Sequence, residues 1–143
     1  MKRGKPRSTD DLVISSFDKE RLKRLLGSTD VGAEGREELE DLTREIERGL
    51  EVRPQEIPPD VVTMNSSVRV TDVESGASNV YTLVFPADAD FEKGKISILA
   101  PLGTALLGFR IGDRVRWQMP GGVRQLRIDE ILYQPEAAGD FHL

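Results

Sequence analysis

Asp30 and Glu34 are the side chains whose type and spacing come nearest to cation chemistry in this chain. Asp30 falls in a connector, Ser28 to Gly32, and Glu34 follows it by four residues. Carboxylate oxygens suit Mg²⁺, provided each can approach within about 2.1 Å. A lone Asp in a turn more often accepts backbone N–H groups as an Asx-turn or cap. His142 is the only histidine and has no neighbouring partners for acid–base or metal work. The chain has no cysteine, which excludes disulfides, thiolate metal sites and Cys-His nucleophiles. Gly121-Gly122 could suggest a phosphate cradle, but it lies between two strand patterns. A phosphate loop needs a strand leading into a helix whose free N–H groups face the anion. On these residues the expectation is no enzyme, no cofactor and no resident metal.

The elements that must position these residues are legible from residue 96 to 133. Ile96 and Ile98 alternate with polar neighbours, as in a short half-buried strand. Pro101 suits the first position of a helix, where its missing N–H costs nothing. Leu102, Ala105, Leu106 and Leu107 form an apolar stripe, and Gly108 ends it as a C′ residue. Ile111 reads as an apolar plug before a Gly112-Asp113 turn. Val115, Trp117 and Met119 alternate with Arg114, Arg116 and Gln118 to give a strand. Pro120-Gly121-Gly122 turns the chain into a return strand carrying Val123, Leu126, Ile128, Ile131 and Tyr133. That strand slips register near Arg124-Gln125 or Asp129-Glu130, which predicts a bulge. Upstream, Val61 to Val73 and Val80 to Phe85 predict a hairpin, joined to the rest by an irregular stretch from Ala87 to Gly94.

The N-terminal part has a helical period. Leu12, Val13 and Ile14 suit an edge strand or a packing segment. Asp18 can cap a first helix, with Phe17 and Leu22 as a hydrophobic staple, and Leu22, Leu25 and Leu26 share a face up to Gly27. A second helix, from about Ala33 to Arg48, carries Leu39, Leu42 and Ile46 at coiled-coil-like spacing. The first helix is rich in Lys and Arg and the second in Glu, which favours antiparallel pairing. At about 1.5 Å per residue the two should span about 14 and 24 Å.

The chain of 143 residues suits one ordinary core with a small appendage. A net charge of −5 argues against a general nucleic-acid binder. Lys2, Arg3, Lys5 and Arg7 read as a solvated tail, since no aromatic residue interleaves them. No apolar run is long enough to cross a membrane, and the absence of cysteine fits a reducing cytoplasm. The expected organisation is a tail with a short apolar segment (1–16), a helical hairpin (17–53), a Pro-rich linker (54–60) and a sheet domain (61–143).

The block from Lys95 to Gly108 (Lys-Ile-Ser-Ile-Leu-Ala-Pro-Leu-Gly-Thr-Ala-Leu-Leu-Gly), with Gly112-Asp113-x-Val115, Pro120-Gly121-Gly122 and Ile128-x-x-Ile131-x-Tyr133, resembles the C-terminal domain of the GreA/GreB family. Asp60 to Ser66 and the tail Tyr133 to Asp140 resemble the Rnk branch of that family, the regulators of nucleoside diphosphate kinase. The resemblance implies an α+β fold: a short antiparallel helical hairpin, then an FKBP-like, mostly antiparallel sheet domain with one short helix. It implies a monomeric, cytoplasmic regulator that binds RNA polymerase at the rim of its secondary channel, with no sequence-specific nucleic-acid or membrane contact. The family's contact segment maps onto Leu99, Ala100 and Pro101. Cleavage factors carry polar residues at the first two of these positions, so Leu99 and Ala100 depart from them. The family's acidic hairpin tip, which helps bind a catalytic Mg²⁺, maps onto Asp30 and Glu34. The expected function is competition with Gre factors without stimulation of transcript cleavage. The alternative is a cleavage factor that uses Asp30 and Glu34.

Overall fold

The computed structural model describes residues 13–28, 36–119, 121–140 and 143. The basic tail, Leu12, Asp30, Glu34, Phe141 and His142 lie outside the described residues.

The chain opens with β1 (Val13–Ser15), α1 (Ser16–Ser28), α2 (Arg36–Arg48) and β2 (Leu50–Val52). β1 and β2 pair in parallel as a two-stranded sheet, with Ile14 opposite Glu51. The apolar segment near residue 13 is thus a strand, but its partner β2 was not expected, because three residues are too few for alternation to register. The start of α1 corrects the predicted cap. Ser15 Oγ accepts the Asp18 N–H at 3.0 Å, the spacing at which a hydroxyl satisfies the third N–H of a helix. Asp18 is then free to turn inward, where it is buried. The predicted staple is replaced as well: Phe17 is part-exposed and lies 3.9 Å beneath the Arg21 guanidinium, while Leu22 enters the core.

α1 and α2 meet through Leu22, Leu42 and Ile46, all fully buried, with Leu25 and Leu26 packed on the same cluster. The Leu39 side chain lies outside the described residues. Lys19 reaches Glu51 at 3.4 Å and Lys23 reaches Glu47 at 3.3 Å. These partly exposed ion pairs each contribute up to about 1 kcal/mol, so burial of the leucines and Ile46 carries the contact.

The second sheet contains β3 (Ser67–Asp72), β4 (Ser78–Val84), β5 (Lys95–Ser97), β6 (Arg114–Met119) and β7 (Gly122–Tyr133), in the order β5-β4-β3-β7-β6. Only β4 and β5 pair in parallel. Alternation puts Val68, Val70, Leu83, Val115, Leu126 and Ile128 on the inner face. Those residues share one apolar cluster with Leu102 and Leu106 of α3 (Pro101–Leu106) and with Ile14, Leu22, Leu42 and Ile46. Along β3, the register on β7 skips Asp129 and Leu132. The first bulge lies where the alternation slips. The alternative position, Arg124-Gln125, pairs regularly with β6.

Several expectations fail in detail. β3 begins only at Ser67: Val61 to Met64 is a buried segment in which Val61 bridges Arg110. Two short helices, not one, accompany the sheet, because α4 (Pro135–Ala138) forms where Gln134 Oε1 accepts the Ala137 N–H at 3.1 Å. Ile111 is not a plug. Its backbone N–H is tied to the Asp60 carbonyl at 3.0 Å, and its side chain faces outward. Val123 also faces solvent, at the end of the hairpin beyond the core.

Candidate functional site

The segment carrying Leu99, Ala100 and Pro101 is a tight turn from β5 into α3. The Ala100 N–H donates to the Ser97 carbonyl at 3.0 Å, and the Leu99 N–H donates to Ser97 Oγ at 3.0 Å. Thr104 binds the turn from the helix side. Its N–H donates to the Ala100 carbonyl at 2.9 Å and its hydroxyl to the Ile98 carbonyl at 2.7 Å. Pro101 occupies the start of the helix, as expected. Gly103 explains how close the turn sits: a Cβ there would lie 2.1 Å from the Ser97 carbonyl oxygen. Leu99 packs one side on the core and leaves the other open, and Ala100 is half-buried beside it. The turn therefore presents a small, rigid, mostly apolar surface with its backbone groups already engaged.

The exit of α3 is fixed by a different part of the chain. Gly108, at φ +82°, donates its N–H to the Val62 carbonyl at 2.8 Å, and Val62 N–H returns to the Phe109 carbonyl at 2.9 Å. Arg110 adds an ion pair to Asp60 at 3.2 Å. Gln134 Nε2 donates to the carbonyls of Pro58 and Val61, at 2.9 and 2.7 Å. Thr63 Oγ1 donates to Glu136 and shares a 2.8 Å contact with Ser66 Oγ. Three separated sequence blocks, 58–66, 108–110 and 133–140, thus converge. Tyr133, which donates to Asp140, has its hydroxyl pushed up to about 12 by that bond.

A further polar group joins α1 to this assembly. Asp18 accepts from Arg21 and, at 3.3 Å, from the Met64 N–H. Burial pushes its carboxyl up to about 6, and nearby Glu136 adds to the rise. The Arg21 bond and charge and the Met64 N–H pull the other way without prevailing. The Arg21 guanidinium lies 3.9 Å from the Phe17 ring centre and 4.7 Å from that of Phe85, after β4. The sequence marks Asp18 only as a helix cap and gives Arg21, Gly103 and Thr104 no role of their own. Only the mid-helix glycine was a usable local signal, since glycine is unfavourable there unless something approaches it closely.

Asp30 and Glu34 lie outside the described residues. Among the described residues, no three His, Cys, Asp or Glu side chains gather into a group that could hold a metal ion, and no helix is long and apolar enough to cross a membrane.

Residues 57–133 match the family described as "Transcription elongation factor, GreA/GreB, C-term", and residues 10–49 match "Rnk N-terminus". The regulator of nucleoside diphosphate kinase from Escherichia coli strain K12 is 41% identical over 137 residues, spanning 95% of this chain and 99% of that protein. GreA from Syntrophotalea carbinolica is 33% identical over 100 residues, spanning 70% of this chain and 62% of that factor. A solved structure, the prokaryotic transcription elongation factor GreA/GreB from Nitrosomonas europaea, superposes with a TM-score of 0.74 at 45% identity. That match covers 90% of this chain and 100% of the other.

Proposed function

The chain belongs to the GreA/GreB family, in company with the regulators of nucleoside diphosphate kinase, and on that premise we propose that it is a non-enzymatic regulator that binds RNA polymerase. It docks at the secondary-channel rim through the β5–α3 turn and competes with Gre factors without stimulating transcript cleavage. The sheet unit is the FKBP-like docking domain, and α1 and α2 form a short hairpin. The protein acts as a cytoplasmic monomer.

The observation that supports this reading is the hydrogen-bonded turn at Leu99 and Ala100, the segment onto which the resemblance maps the family's contact. The lack of cleavage activity follows from reach. Among the described residues α1 and α2 have 13 residues each, about 20 Å of helix apiece. The full-length match to the Escherichia coli regulator, against 62% of the GreA length, argues the same way. A tip one helical turn short, about 5 Å, cannot bring a carboxylate to Mg²⁺.

Two experiments test the proposal. Leu99→Asp is expected to weaken capture of core RNA polymerase by about 1–3 kcal/mol, because an apolar anchor is lost from a docked interface. Ala100→Glu, at a residue outside the core cluster, should act in the same direction without loss of thermal stability. Undiminished capture by both variants would move the docking site elsewhere. In the second experiment, a backtracked elongation complex is mixed with this protein alone and then with GreA. The protein should leave the transcript intact and slow the GreA reaction. Rapid cleavage that disappears in the Asp30→Ala, Glu34→Ala double variant would establish the alternative, a cleavage factor.

A further inference from the structure

β6 is a sheet edge left open, while the opposite edge is closed. β5 has only three residues, and its outer side is bridged by Asp90, whose N–H and carbonyl both bond Lys95 at 2.9 Å. β6 has six residues and no proline, and its register on β7 is continuous from Arg114–Arg127 to Met119–Gly122. Ile128 N–H donates to the Asp113 carbonyl at 2.9 Å. Antiparallel pairing alternates, so residues 115, 117 and 119 also direct their backbone groups toward β7. The N–H and carbonyl groups of Arg114, Arg116 and Gln118 then point outward. Among the described residues no hydrogen bond reaches them. Such an edge templates another strand unless something blunts it.

The charge on this edge selects the strand. Arg114 and Arg116 are exposed and make no ion pair among the described residues. Arg114 stands directly opposite Arg127, and like charges so placed are mutually destabilising. The acids of that face are already engaged. Asp129 is bound by Arg127 at 2.6 Å and by Thr71, and Glu130 is bound by Arg69. Two copies joined edge to edge through β6 would add further arginine–arginine contacts, so a second copy is disfavoured. A strand with carboxylates on the same face relieves the repulsion and fills the backbone groups together.

We propose that β6 takes up an extended acidic segment of a protein partner as a sixth strand, its carboxylates set against Arg114 and Arg116. Backbone pairing supplies affinity and the arginines supply selection. The contact is independent of the polymerase reading.

The test uses the full chain labelled with ¹⁵N and an acetylated seven-residue peptide of alternating threonine and glutamate. Addition of the peptide should shift the Arg114, Arg116 and Gln118 amides. Arg114→Glu with Arg116→Glu should weaken binding by about tenfold or more. Methylating alternate peptide nitrogens should weaken it comparably, and this arm needs no change to the protein. The proposal falls if β6 amides do not shift, or if a threonine–lysine peptide binds as well. It also falls if methylation has no effect, since the arginines would then be reading charge alone, as for a nucleic-acid backbone. Sedimentation as a dimer through β6 would assign the edge to a second copy and overturn it too.

Discussion

Alanine at position 103 is expected to lower the thermal midpoint by about 4–8 °C, although alanine is the better helix former. The helix-propensity gain from Gly→Ala is about 1 kcal/mol. Against it stands the new Cβ, 2.1 Å from the Ser97 oxygen and 2.9 Å from the Ser97 carbonyl carbon. Both are backbone atoms, so no side chain can swing away. The turn must separate from α3, straining the Thr104 bonds to Ile98 and Ala100. Overpacking against backbone this close costs about 3 kcal/mol, which leaves about 2 kcal/mol after the propensity gain, and each kcal/mol moves the midpoint of a chain this size by about 2–4 °C. The Leu99–Ala100 surface should shift with it, so under the proposed docking polymerase capture should fall further than stability alone accounts for. Circular dichroism melting decides the sign. A midpoint raised by Gly103→Ala would mean that β5 and α3 stand apart in solution, and the pre-organised turn would have to be abandoned.

The contrast between Pro101 and Gly103 marks what was legible in the residues. Pro101 and Gly108 act on their own backbone, so their types announce the ends of α3 without knowledge of the fold. Gly103 is required by a carbonyl six residues earlier, on a different element; a glycine inside a helix signals that something approaches, but not which element does. The sheet follows the same division. Leu126, Ile128 and Ile131 break the period of two, which exposes the bulge at Asp129. β2 and α4 are too short for any period, and each is held by a distant partner, β1 for one and the Gln134 cap for the other. The cap of the first helix is ambiguous in the residues alone, because Ser15 and Asp18 are both good cap residues. Burial of Asp18 decides between them, and burial is a tertiary fact. In the candidate site, Leu99, Ala100 and Pro101 fall together on one turn. The polar hub at Asp18 and Arg21 had no signature beyond two charges on a highly charged helix.

That hub gives a pH dependence opposite in sign to that of Glu56, Asp72 and Asp129. Glu56, Asp72 and Asp129 are held below their ordinary values by hydrogen bonds to the ionised form, led by the Arg53 N–H, the Ser75 N–H and the Thr71 hydroxyl. Their stabilisation is present at neutral pH and is lost as pH falls through those lowered values. Asp18 runs the other way. Its folded value, about 6, lies above the 3.8 of an unperturbed carboxyl. The folded state therefore holds this proton more tightly, and the contribution is greatest below 3.8 and is lost as pH rises through 6. Asp18→Asn separates the two behaviours, since the amide cannot ionise and can still accept the Met64 N–H. The unfolding free energy of the variant minus that of the parent should rise by about 2 kcal/mol between about pH 4.5 and 7.5. Urea titrations at the two pH values measure it, and the other carboxylates cancel in the difference. A difference that stays flat would mean that Arg21 keeps Asp18 ionised throughout, with the Arg21 ion pair outweighing the cost of burying the charge where α1 meets Met64.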